Sequence, residues 1–235
     1  MTSVVLFDLD DTLFAHRQAV ERGILKHLAA TGIARIDPAE VARWNELEEH
    51  HYHRYLAGEL DYLGQRRARA RDFVHPYGVR FDHDGEAEGW FEDYLDHYRA
   101  AWELHDDTLP SLDALAARGM RLGIITNGDA DFQDAKLARI GLSGRFEHVV
   151  ASGAFGITKP DPRIFQHACQ LFGVPVSDAL YVGDRLGTDA QGASDAGLRG
   201  VWLARAGAAS ADEVDAAVAS GVTAIASLEQ LLTLV

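Results

Sequence analysis

Val4-Val5-Leu6-Phe7-Asp8-Leu9-Asp10-Asp11-Thr12 is the stretch on which the reading of this chain turns. Its first four residues are apolar and open on two β-branched valines. A short run of that kind is the pattern of a strand buried on both faces of a parallel sheet. Carboxylates then crowd its C-terminal end, at Asp8, Asp10 and Asp11. Ligands of open α/β sheets bind outside the carboxyl ends of the strands, so chemistry is expected at this corner, with Asp8 as the candidate nucleophile.

Outward from Thr12 the pattern becomes helical, with Ala19, Ile24 and Leu28 at helical spacing and a stop at Thr31-Gly32. Asp37-Pro38 carries both start signals of a second helix, an N-cap acceptor and a proline at the first helical position. Gly58 ends it. Two further helices are predicted over residues 60–74, which hold Arg66, Arg67, Arg69 and Arg71, and over residues 86–102, which hold Trp90, Tyr94 and Tyr98. No strand signal occurs between residues 15 and about 105.

From Leu109-Pro110 strands and helices alternate. A helix to Arg118-Gly119 leads to a strand at 122–125, a helix at 131–140 stopped by Gly141, and a strand at 148–150. A helix at about 163–173 leads to a strand at 180–182, and the chain closes with strands at 200–203 and near 222–225 and a helix through Leu228, Leu231 and Leu232. Parallel strands need helical crossovers, and the lone strand at residues 4–7 finds partners only in this half. The predicted fold is α/β, a doubly wound parallel sheet made of residues 1–14 and 105–235, with an all-helical cap inserted over residues 15–104.

Composition narrows the function. The chain has 235 residues, enough for a core with an inserted module. A net charge of −14, from 36 acidic and 22 basic residues, argues against nucleic acid as a partner. It leaves small anions open, because a local lysine, backbone N–H groups and a cation outweigh screened surface charge. No apolar run approaches the length of a membrane span, and no basic segment precedes the first apolar run, so neither a membrane partner nor a signal peptide is expected. A single cysteine, Cys169, precludes an intramolecular disulfide and fits the cytoplasm. No motif sets an oligomeric state.

Three strand ends carry polar groups: Asp8 and Asp10 after the first, Thr126 and Asn127 after the second, Asp184 after a later one, with Lys159 in a loop between. If these ends converge, carboxylates about 4 Å apart repel by about 4 kcal/mol per pair at an effective dielectric of about 20. Such a cluster requires a proton or a cation. Hard oxygen ligands favour magnesium, whereas zinc would call for histidine or cysteine. Lys159, the Thr126 hydroxyl and the Asn127 N–H can donate to phosphoryl oxygens. Asp8 can attack phosphorus, and Asp10 can give a proton to the leaving alcohol and later take one from water.

Asp8-Leu9-Asp10-Asp11-Thr12, Ile125-Thr126-Asn127, Thr158-Lys159-Pro160-Asp161-Pro162 and Val182-Gly183-Asp184 with Asp189 resemble the four ordered motifs of the haloacid dehalogenase (HAD) superfamily. The resemblance covers residues 4 to about 205, and the insert matches the subgroup with a helical cap between the first two motifs. It implies a Rossmann-like core, with Asp8 as nucleophile, Asp10 as acid/base, and Thr126 and Lys159 as phosphate ligands. It also implies magnesium held by Asp8, the Asp10 carbonyl and Asp184, with Asp189 as a second acidic partner. The family's dehalogenases lack the carboxylate that Asp10 supplies, so the resemblance points to a phosphatase of small phosphorylated metabolites such as nucleoside monophosphates or sugar phosphates. A sugar-phosphate mutase shares all four motifs, and a catalytically idle module that keeps the fold is the alternative outside enzymology.

Plainer structural roles compete for other residues. An isolated Asp at a strand end is often a helix cap, which applies to Asp189 in particular. The cap arginines read as a solvated face. His50 and His53 share a helical face but lack a third ligand. Trp44, Tyr52, Trp90 and Tyr98 read as cap core, and Cys169 as an inert core thiol.

Overall fold

The computed structural model describes residues 2–33, 35–205, 209–219 and 221–235. Among them, six strands form one sheet: β1 (Val4–Phe7), β2 (Arg121–Thr126), β3 (His148–Ala151), β4 (Ala179–Gly183), β5 (Arg199–Leu203) and β6 (Thr223–Ile225). Their order is β3-β2-β1-β4-β5-β6, and each neighbouring pair is parallel. The opening apolar run therefore lies in mid-sheet. Val4, Val5, Leu6 and Phe7 are all fully buried, as a strand covered on both faces must be. Phe7 pairs with Ile124 on one side and Val182 on the other. The strand order departs from β1 in opposite directions, so the topological switch point lies between β1 and β4, and the residues that follow those two strands flank it.

The helices are α1 (His16–Thr31), α2 (Pro38–Leu56), α3 (Tyr62–Val74), α4 (Asp84–Ala100), α5 (Thr108–Ala117), α6 (Ala130–Arg139), α7 (Ser152–Phe155), α8 (Pro162–Phe172), α9 (Gly192–Asp195) and α10 (Ala211–Ala219). The chain divides into two compact units, residues 1–15 with 103–235 and residues 16–102. In the first, α8 presents Ile164, Phe165, Ala168, Cys169 and Phe172 to a core that includes Val4, Leu6 and Tyr181. Burial pushes the Cys169 thiol up to about 11, which suits an inert packing role.

The second unit is built from α1 to α4. Its aromatic centre is Trp44, fully buried, with ring centroids 4.6 Å from Tyr94, 5.1 Å from Phe73 and 5.7 Å from Trp90. One cap arginine departs from the solvated face expected of the run. Arg69 is 4% exposed, stacks its guanidinium 3.8 Å from the Trp44 ring centre, and pairs with Glu48 at 2.8 Å. Burial alone would raise the Glu48 carboxyl, but Arg69 and His16 hold it well below the usual range. Helix starts also differ from the sequence pattern. Asp61 accepts from the Gly64 amide and so starts α3 at Tyr62, and α4 begins at Asp84.

Where the chain leaves and re-enters the first unit, its two segments are hydrogen-bonded together. Ala15 N donates to Glu103 O at 3.0 Å, His105 N donates to Leu13 O at 3.1 Å, and Phe14 bridges antiparallel to Leu104. At the C-terminal end, residues 228–233 form a 3₁₀ turn rather than an α-helix. α10 has no counterpart in the sequence reading, because its alanine-rich stretch shows no apolar stripe and buries only Ala217.

Close packing of β5 against the chain after β4 depends on Gly200. A Cβ there would stand 1.9 Å from Ala190 O and 2.5 Å from Ser194 Oγ. Gly200→Ala is therefore expected to cost about 1–3 kcal/mol through overpacking, measured as a lower urea midpoint at unchanged slope.

Candidate active site

The site is assembled at the carboxyl ends of β1, β2 and β4. Asp8 follows β1 directly, and its amide still donates to Val182 O at 2.9 Å, which keeps it in line with the sheet. Asp11 then takes a φ of 61°, in the left-handed region that aspartate tolerates better than bulkier residues. The chain turns there, and Asp8 stays buried at 7% exposure. Its carboxylate accepts from Lys159 Nζ at 2.6 Å and from Thr12 Oγ1 at 3.3 Å.

Lys159, 3% exposed, stands in the loop before α8. Its ammonium also donates to Asp189 Oδ1 at 2.8 Å and to the Tyr181 hydroxyl at 2.7 Å. Tyr181 of β4 lies 3.1 Å from both Asp189 Oδ1 and Ile125 O. Asn127 grips the backbone of the same lysine, its Oδ1 accepting from Lys159 N at 2.8 Å and its Nδ2 donating to Lys159 O at 3.0 Å. The end of β2 thus fixes the loop while the ammonium reaches the end of β1.

Asp189 belongs to a π-helical turn, Leu186–Gln191, that folds back on β4. Such turns are often found at functional sites. Its second oxygen accepts from Arg185 N at 3.0 Å. A Cβ on Gly183 would lie 2.4 Å from Asp189 Cγ, so only glycine admits this fold-back. Asp184, the next residue, is half-buried, with its carbonyl accepting from Trp202 Nε1 at 2.8 Å.

Asp8, Asp184 and Asp189 each offer a carboxylate oxygen, and these atoms lie within 4.8 Å of one another. Burial, together with like charge from Asp189 and Asp10, pushes the Asp8 carboxyl up to about 7 against the pull of Lys159. Burial and the Asp8, Asp189 and Asp11 carboxylates push Asp184 up to about 8. Burial would lower the Lys159 ammonium, but Asp189 and Asp8 hold it above its ordinary value. Within this buried group three carboxylates face one ammonium. The surplus negative charge and the hard-oxygen donor set fit a divalent cation such as magnesium.

The Asp10 side chain is held apart from this cluster. Lys136 Nζ of α6 donates to its Oδ1 at 2.5 Å, and Gln133 Nε2 donates to its Oδ2 at 3.1 Å. Gln133 also donates to Thr126 Oγ1 at 2.9 Å. Thr126 is 1% exposed, and accepting from Gln133 leaves its own O–H proton to be aimed elsewhere. Lys136, Gln133 and Tyr181 were missed from sequence. Their available signals were the i,i+3 spacing of Gln133 and Lys136 and a tyrosine hydroxyl in a fully buried strand, which needs a partner.

The site is thus a cluster of strand-end carboxylates around a buried lysine in a parallel α/β fold. The sequence matches the haloacid dehalogenase-like hydrolases over residues 2–197, and the chain belongs to that family. It is 32% identical over 211 residues to glyceraldehyde 3-phosphate phosphatase of Methanopyrus kandleri, covering 87% of this chain and 85% of the relative. It is 32% identical over 225 residues to phosphoserine phosphatase of Thermus thermophilus, covering 86% and 88%. The solved structure of the HAD-hydrolase YfnB from Bacillus subtilis shares the fold, with a TM-score of 0.81 at 20% identity over 99% of this chain and 98% of that one. Within the family the chain is an enzyme of the phosphoric monoester hydrolase type.

The raised carboxyls fix the sign of a pH effect. Between the ordinary carboxylate pKa of about 4 and about 8, Asp8 and Asp184 bind more protons in the cation-free native state than in the unfolded chain, so their contribution to stability falls as pH rises. His27, His51 and His105, which burial lowers, contribute in the opposite sense with or without a cation. The gain in melting temperature on adding magnesium after chelation is therefore expected to be larger at pH 8 than at pH 6 by about 5 °C. An equal gain at both pH values in calorimetry would contradict the raised values.

Proposed function

We propose that the protein is a magnesium-dependent phosphatase that hydrolyses small phosphomonoesters through an aspartyl phosphate at Asp8. The observation that carries this reading is the position of Asp8 at the switch point of the sheet, within 2.6 Å of a buried ammonium and within reach of two further carboxylates suited to a divalent cation. Asp8 and Asp184 would hold the ion with the Asp10 carbonyl, and Asp189 would back them. A bound magnesium ion supplies charge neutralisation for the phosphoryl oxygens and the nucleophile.

An Asp8 oxygen attacks phosphorus in line with the leaving alcohol, forming the Asp8 O–P bond as the ester P–O bond breaks. The Asp10 carboxyl gives its proton to the departing oxygen. Lys159 and the Thr126 hydroxyl donate to the phosphoryl oxygens, and the Asn127 main-chain N–H adds a third donor. In the second step Asp10 takes a proton from water, the water oxygen bonds to phosphorus, and the Asp8 O–P bond breaks to release inorganic phosphate. The relatives named for glyceraldehyde 3-phosphate and phosphoserine support a compact phosphorylated metabolite as substrate, and sugar phosphates and nucleoside monophosphates are the candidates to assay.

Phosphate release from p-nitrophenyl phosphate and from a panel of sugar phosphates and nucleoside monophosphates, with and without magnesium, tests the assignment. Asp8→Asn is expected to reduce turnover to background, and Asp10→Asn to lower kcat by about 10²–10⁴-fold while magnesium still binds. Full turnover in Asp8→Asn would remove the nucleophile assignment. Isomerised sugar phosphate with little free phosphate would instead identify a mutase.

A further inference from the structure

α6 places a second buried ammonium beside the site. Lys136 is 2% exposed, its Nζ 2.5 Å from Asp10 Oδ1, with the Phe14 and Phe132 ring centres at 4.8 and 5.5 Å. Gln133, 3% exposed and three residues earlier on the same helix face, holds the other Asp10 oxygen and Thr126 Oγ1. One helix therefore grips both oxygens of the Asp10 carboxyl and the Thr126 hydroxyl. α6 is anchored just after β2, where Asp129 Oδ1 accepts from Phe132 N at 3.0 Å.

We propose that Lys136 and Gln133 are positioning residues that set the direction in which Asp10 presents its carboxyl to the leaving-group oxygen. An aspartate side chain with 29% exposure has several rotamers open to it, and two donors on opposite oxygens select one. A carboxylate oxygen has two lone-pair sites, so one that accepts a hydrogen bond can still carry the transferred proton. Burying an ammonium costs several kcal/mol unless it is well paired, so a helix needing only apolar packing here has no use for Lys136. Gln133 couples the two halves of the chemistry, because the amide that steers Asp10 also turns the Thr126 proton outward. The inference rests on the phosphatase reading, in which Asp10 protonates the leaving alcohol as the P–O bond breaks.

The test is a leaving-group series. kcat/KM reports transfer to Asp8, and p-nitrophenolate departs without needing a proton, whereas phenolate from phenyl phosphate needs one more. In Lys136→Met, kcat/KM is expected to fall at least about tenfold further for phenyl phosphate than for p-nitrophenyl phosphate, with part of the loss restored in Lys136→Arg. In an Asp10→Asn background Lys136→Met is expected to add nothing. Equal losses on both esters, or the same loss in the Asp10→Asn background, would show that Lys136 serves the fold alone and overturn the inference. If Lys136→Met does not fold, Lys136→Gln carries the same comparison. A wild-type protein that releases phosphate from neither ester overturns the phosphatase reading itself, an outcome distinct from an active wild type with a flat variant series.

Discussion

The Lys159 ammonium lies 2.6 Å from Asp8 and 2.8 Å from Asp189, almost wholly withdrawn from water, and ties together three stretches of chain. One follows β1, one precedes α8, and one is the π-helical turn after β4. A buried ion pair stabilises only when its remaining donors and acceptors are met. Here Tyr181, the Arg185 amide and the Thr12 hydroxyl meet them. Removing one member of such a pair typically costs about 3–5 kcal/mol, because the other is left charged and unpaired. That contact is a clasp between the sheet and its loops.

That clasp is deliberately incomplete as electrostatics. A cluster with more carboxylates than ammonium groups works against the folded state at neutral pH, and the raised Asp8 and Asp184 are the measure of it. The surplus charge is what suits the site to a divalent cation. Stability and chemistry pull the same residues in opposite directions, and the fully apolar β1 and its neighbours in the sheet absorb the difference.

Much of this was written in the linear sequence where a physical pattern repeats. The uniform apolar run of β1 and the alternation after residue 105 announce a parallel sheet, and carboxylates directly after apolar runs announce the switch-point residues. What stayed hidden depends on which way a side chain faces. Arg69 looks like Arg66, Arg67 and Arg71 in the same charged run, yet alone of the four it is buried and stacks on Trp44. Lys136 looks like any helix lysine, yet lies buried against Asp10. Asp189 looks like a helix cap, and its tie to Lys159 appears only when the turn folds back over Gly183. Boundaries such as the start of α3 were set by a capping aspartate one residue upstream.

The hydrogen bonds that join Ala15 to Glu103 and His105 to Leu13 bring together the two ends from which residues 16–102 depart. An excursion of that length from a central strand closes like a bracket, so the sheet does not register what lies inside it. Loop-closure entropy grows only slowly with the length enclosed. The helical unit is thus an exchangeable cassette: a different segment with the same two attachment points can be spliced there without rethreading a strand. Change can then accumulate inside the bracket while Asp8, Asp10, Lys159 and Asp184 keep their places outside it.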